Sequence, residues 1–154
     1  MLFLIHQIYY TVSKNLSTLE IILLLFSIII VLCNRRKYPY IPPLYSVFLI
    51  LYITLLRRAP GFNVSICFKL KLRPNAVVWA GNLLNLVLYV PYGVTSWLWK
   101  REAKKIVAVG FALSVSCEGL QYLTGRGMAD VNDVLFNALG AVVGVWISAK
   151  VYSK

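Results

Sequence analysis

The stretch from Ile106 to Tyr152, IVAVGFALSVSCEGLQYLTGRGMADVNDVLFNALGAVVGVWISAKVY, holds two long apolar runs on either side of a polar turn. About 20 apolar residues cross a bilayer, so Ile106 to Leu123 and Val131 to Tyr152 each read as a transmembrane helix. The turn between them is TGRGMAD, in which Gly125 and Gly127 give Arg126 a flexible backbone. A soluble globule has no place for two such helices side by side.

The rest of the chain agrees. Of its 154 residues 60% are hydrophobic and only 14% charged, and mean hydropathy is +0.74. A soluble domain carries roughly a quarter charged residues and under half apolar ones. Lipid must therefore cover part of the surface, which argues against a soluble enzyme, a disordered chain or a secreted disulfide scaffold. Three further spans are expected: Leu16 to Cys33, closed by Arg35, Arg36 and Lys37; about Tyr38 to Leu56, ended by Arg57 and Arg58; and Ala76 to Trp99, interrupted by Pro91 and Gly93. Pro42 and Pro43 fit only the entry turn of the second of these, which shortens its continuous helix. The expected fold is all-α, a polytopic helical membrane protein of about five transmembrane helices. The start, MLFLIHQIYY, lacks the basic residues and cleavage site of a signal peptide and suits the interface. In loop 57–75, VSICFKLKL (Val64 to Leu72) alternates as a short strand or interfacial ribbon does.

The net charge is +11. In a soluble protein that surplus points to nucleic acid. Here the cations lie between apolar runs, where they set orientation and meet anionic headgroups, so no nucleic acid is expected. Nine basic residues fall on the side of loops 35–37 and 100–105 and the C-terminus, and seven on the other. The last three spans carry the contrast, with Arg126 alone facing six. Loops 57–75 and 124–130 are therefore placed outside the cytoplasm and the C-terminus inside. The outer side then holds Arg57, Arg58, Lys69, Lys71 and Arg73, which serve either as headgroup anchors or as a candidate anion-binding patch for phosphate, pyrophosphate or an envelope polymer.

Carboxylates carry the most functional information. Only five exist, and Glu118, Asp130 and Asp133 fall within sixteen residues. Glu118 lies about 8 Å inside its span, at 1.5 Å per residue. A carboxylate there costs on the order of 2.5–3.5 kcal/mol, so a partner, proton site or ligand site is expected. Glu118 and Gln121 share one helical stripe. Asp130 stands at an N-cap position, and Asp130 and Asp133 suit a helix's positive end. Asn137 continues the Asp133 stripe, and Gly140 and Gly144 extend it as a GxxxG packing face, used within the chain or between copies in a homo-oligomer. In the third span Asn82 and Asn85 are three apart, and one of them is expected to face these stripes. Pro91 removes the bond to the Val87 carbonyl. The bland reading is that Glu118–Arg126 and Asp130–Asn137 pin helices together. The three cysteines (33, 67 and 117) show no metal spacing, His6 is alone, and neither a metal nor a cofactor is expected.

Together, Asn85-LVLYV-Pro91-Tyr-Gly93, Glu118-x-x-Gln121, Arg126, Asp130-x-x-Asp133, Asn137 and Gly140-x-x-x-Gly144 resemble the VanZ-like family of small bacterial membrane proteins. The resemblance covers about Leu44 to Ser148. It implies a VanZ-like four-helix membrane domain over 38–154, preceded by an additional N-terminal segment and helix over 1–37. The family's name-giving member confers low-level resistance to teicoplanin. Carried over by position, the candidate polar cluster is Asn85, Glu118, Gln121, Arg126, Asp130, Asp133 and Asn137. The function expected from these residues is non-enzymatic binding of a polar or anionic envelope lipid, such as a peptidoglycan precursor, that alters glycopeptide susceptibility. One alternative is an intramembrane enzyme with Glu118 as general base and Asp130 and Asp133 holding a divalent cation. Another is a small proton-linked transporter or flippase.

Overall fold

The computed structural model describes residues 18–34, 38–56, 65–68 and 76–152. Among them are helix α1 (Thr18–Asn34), helix α2 (Ile41–Leu51) continued by a π-helical turn (Tyr52–Leu56), and strand β1 (Ile66–Cys67). Helix α3 (Ala76–Lys100), helix α4 (Ala103–Leu123), strand β2 (Ala129–Asp130) and helix α5 (Val131–Tyr152) follow. The fold is all-helical apart from one short parallel bridge, in which Ile66 pairs with Ala129 and Cys67 with Asp130.

Among the described residues three helices, α3, α4 and α5, are long and apolar enough to cross a membrane, and Ile41–Leu56 is a shorter apolar helix. Of the five helices expected, these three meet the length and composition of a span within the described residues. Helix α1 is described over 17 largely apolar residues, Thr18–Asn34. In α2 the chain first turns, with the Ile41 amide donating to the Tyr38 carbonyl at 3.1 Å. Pro42 and Pro43 then occupy the first helical turn, where a missing N–H costs nothing. By contrast Pro91 lies inside α3 and the helix runs through it; the Thr95 hydroxyl donates to the Pro91 carbonyl at 2.8 Å.

Helices α3 and α5 share the most extensive interface. A side chain at Gly140 would strike the Leu86 carbonyl, one at Gly144 the Val90 carbonyl, and one at Gly93 the Ala141 carbonyl. Further along, the Ser148 hydroxyl donates to the Val94 carbonyl at 3.4 Å, and Arg101 Nη1 to the Tyr152 carbonyl at 3.3 Å. The paired positions advance together along both helices, so α3 and α5 run parallel with their main chains in contact. The GxxxG face is thus used within the chain. Helix α4 runs back alongside this pair, reached through a tight turn in which Arg101 takes a left-handed backbone (φ 54°). The Tyr92 hydroxyl ties α3 to α4 by donating to the Ile106 carbonyl at 3.1 Å.

The two ends of the bundle differ in chemistry. One end gathers the end of α2, both strands, the 124–130 turn and the start of α5. The opposite end carries Lys100 over the Trp99 ring at 4.5 Å and Lys150 over Trp146 at 4.9 Å, with Glu102 paired to Lys105. The bonded Lys105 ammonium holds the Glu102 carboxyl below the usual carboxylate range. Aromatic rings beside cations are what a membrane–water interface favours.

Candidate functional site

Helix α4 ends in a Schellman motif. The Gly125 amide donates to the Tyr122 carbonyl at 3.2 Å and the Arg126 amide to the Gln121 carbonyl at 2.9 Å, with Gly125 at φ 62°. Glycine takes that left-handed position without steric cost. The motif sets Arg126 beside Gln121, and both side chains reach the end of α2. Gln121 Nε2 donates to the Thr54 carbonyl at 2.7 Å, and Arg126 Nη1 to the Leu55 carbonyl at 2.6 Å. Carbonyls in a last helical turn have no acceptor role within the helix and carry its negative end. An amide and a guanidinium satisfy them here.

The chain then enters β2, where the Ala129 amide donates to the Ser65 carbonyl at 3.1 Å. Glu118, 6% exposed, accepts the Asp130 amide N–H on Oε2 at 3.0 Å. Within one helix a capping box makes that bond from the third residue; here it comes from the neighbouring helix. Asp130 in turn caps α5. Its Oδ1 accepts the Asn132 amide at 3.0 Å and Asn132 Nδ2 at 2.7 Å. Asp133 stands half-buried in the first turn of α5, where the helix dipole favours a negative charge. Deeper, Asn137 Nδ2 donates to the buried Ser114 hydroxyl at 2.8 Å.

The structure therefore gathers Glu118, Gln121, Arg126 and Asp130 at one end of the bundle, with Asp133 beside them and Asn137 below. Asn85 is half-buried on α3 and takes no part in these bonds. Asn82 is buried, and its Nδ2 has no hydrogen-bond partner. Among the described residues Arg126 Nε and Asn137 Oδ1 also lack a partner. Arg57, Arg58, Lys69, Lys71 and Arg73 lie outside the described residues. Among the described residues no group of three or more His, Cys, Asp or Glu is placed to hold a metal ion.

This geometry coincides with a family match. A model described as VanZ/LLP1 matches residues 3–152. The chain belongs to the VanZ/LLP1 family. No curated protein and no solved structure matches it. The match covers a longer stretch than the motif resemblance over 44–148, and with its apolar helices the chain is a multi-pass VanZ/LLP1 membrane protein.

Sequence reasoning missed several groups that build the polar end of this VanZ/LLP1 chain. Ser114 precedes Glu118 by one helical turn and is fully buried, so its spacing was a usable signal. Asn132 follows two residues after a capping aspartate, the usual place for a bond back to the cap. The Thr54 and Leu55 carbonyls are main-chain groups and carry no mark in side-chain patterns.

Proposed function

We propose that this VanZ/LLP1 protein acts in the bacterial cell envelope by binding the polar or anionic headgroup of an envelope lipid at the Glu118–Arg126–Asp130 end, altering susceptibility to teicoplanin-type glycopeptides. The observation that carries this reading is the buried, unpartnered Nε of Arg126. Its Nη1 is committed to α2, and Nε is a donor of the charged guanidinium with no acceptor among the described residues. A phosphate or carboxylate oxygen is the natural acceptor for such a group. The nearby carboxylates Glu118, Asp130 and Asp133 suit hydroxyl or amine donors on the same headgroup, as sugar-bearing and amino-acid-bearing envelope lipids provide. In this reading the 124–130 turn faces outward and the C-terminus faces the cytoplasm, as the basic residues flanking the last three spans favour.

The test is the teicoplanin inhibitory concentration of a susceptible bacterium expressing wild type, Glu118→Gln or Asp133→Asn at matched membrane abundance, with vancomycin in parallel. Wild type is expected to raise the teicoplanin value and the near-isosteric variants to abolish the rise. Equal values for all three proteins and the empty vector would overturn the reading. Lipid co-purifying with wild type and with Arg126→Gln gives a second readout, because neutralising Arg126 is expected to reduce bound anionic lipid.

A further inference from the structure

At the end of the bundle away from the polar cluster, a groove of about 330 Å³ opens between α2, the end of α3 and the start of α4. Ligand sites begin near this size. Val47, Tyr92, Ile106 and Val109 line its length, and Lys100 and Lys105 stand at its mouth. The Tyr92 hydroxyl is committed to the Ile106 carbonyl and Ser96 is the one other hydroxyl in the lining, so the interior is predominantly apolar. Its rim residues Leu44 and Val109 are 60% and 57% exposed, which in this protein means open toward lipid.

The mouth is cationic. Among the groove's lining residues Lys100 and Lys105 outnumber one acid, Glu102. Glu102 is bonded to Lys105, while Lys100 lies across the Trp99 ring. An apolar slot ending in a cluster of cations at interface depth matches an amphiphile with an acyl chain and a negative headgroup. We propose that this groove binds an anionic glycerophospholipid, one acyl chain lying along Val47, Ile106 and Val109 and the phosphate meeting Lys100 and Lys105. Apolar contact alone would accept any lipid; the cations select for charge. The site is independent of the polar cluster at the other end and stands whether or not that cluster binds a lipid.

Trp99 lines the groove and reports on it. The experiment measures quenching of Trp99 fluorescence, taken as the difference between wild type and Trp99→Phe, by brominated phosphatidylglycerol or brominated phosphatidylcholine in mixed micelles. Phosphatidylglycerol is expected to quench at a mole fraction about fivefold lower, the effect of one cation near an anionic surface. Lys105→Gln should remove most of that preference, and Glu102→Gln should increase it. Lys150→Gln, at the same end but outside the groove, should leave it unchanged. Equal quenching by the two lipids would mean ordinary surrounding lipid and would overturn the proposal, as would a preference indifferent to Lys105 and Glu102. The Lys105 and Glu102 side chains are both exposed, so these two substitutions are expected to leave the fold intact.

Discussion

The carboxylate of Glu118, near the end of one transmembrane helix, accepts the backbone N–H of Asp130, the residue that caps the next. One buried acid thus holds the main chain at the start of α5, and Asp130 holds the first turn of that helix. The bland and functional readings of Glu118 meet here, because the same bond that pins the helices fixes the position of the polar end.

Removing that acceptor leaves a buried amide unpaired, which costs about 1–3 kcal/mol. Glu118→Ala is expected to lower thermal stability in detergent by this amount. Glu118→Gln keeps an oxygen for the Asp130 amide and should cost clearly less. If the two variants melted together, the bond to Asp130 would not be what Glu118 contributes.

Glycines separate by position. Gly140→Ala and Gly144→Ala each place a methyl group against α3 main chain, and overpacking of this kind costs about 1–3 kcal/mol. Gly81 and Gly119 are also helical but have nothing within 4 Å of an added Cβ. Their alanine variants should be neutral or gain about 0.5–1 kcal/mol from helix propensity. Thermal melts of the four proteins side by side check this.

Gln121 and Arg126 cap the end of α2 through adjacent carbonyls. Gln121→Leu should cost about 1 kcal/mol, and Arg126→Leu about 1.5–3 kcal/mol as a charged donor is lost. Both should speed amide hydrogen exchange in residues 52–56 while leaving α5 protected. Faster exchange spread evenly over the bundle would contradict a local cap.

Sidedness has a direct readout. Cys67 sits in β1, paired with Asp130, and therefore lies at the polar end. With that end outward, an impermeant thiol reagent added to intact cells should label Cys67 and not Cys33. The reverse pattern would place the polar end in the cytoplasm.

Legibility from sequence followed the length of the apolar runs. Val131 to Tyr152 is α5 as read, and Ala76 to Trp99 differs from α3 by one residue. Helix α4 begins at Ala103, three residues before its expected start at Ile106. Lys104 and Lys105 read as loop, but long lysine stems in a first turn can leave their charges at the interface. Pro91 read as an interruption, whereas a buried threonine one turn on, bonding back to the proline carbonyl, accompanies a continuous helix. Of the strand signal over Val64 to Leu72, residues 65–68 are described, and Ile66–Cys67 form the strand. At the polar end the acids and Gln121 were visible because charge in an apolar run stands out. The α2 carbonyls to which Gln121 and Arg126 donate were not, since a helix end exposes carbonyls whatever its side chains.

The main-chain contact between α3 and α5 also bears on how the protein meets bilayers of different thickness. With 25 residues, α3 rises about 38 Å, well beyond a hydrocarbon core of about 30 Å. A helix longer than its bilayer accommodates the mismatch by tilting. Gly93, Gly140 and Gly144 leave no side-chain layer between the two helices to shear, so α5 must take up the same lean. A change in bilayer thickness is therefore expected to lean the α3–α5 pair together, and with it the Asp130 end where α5 begins.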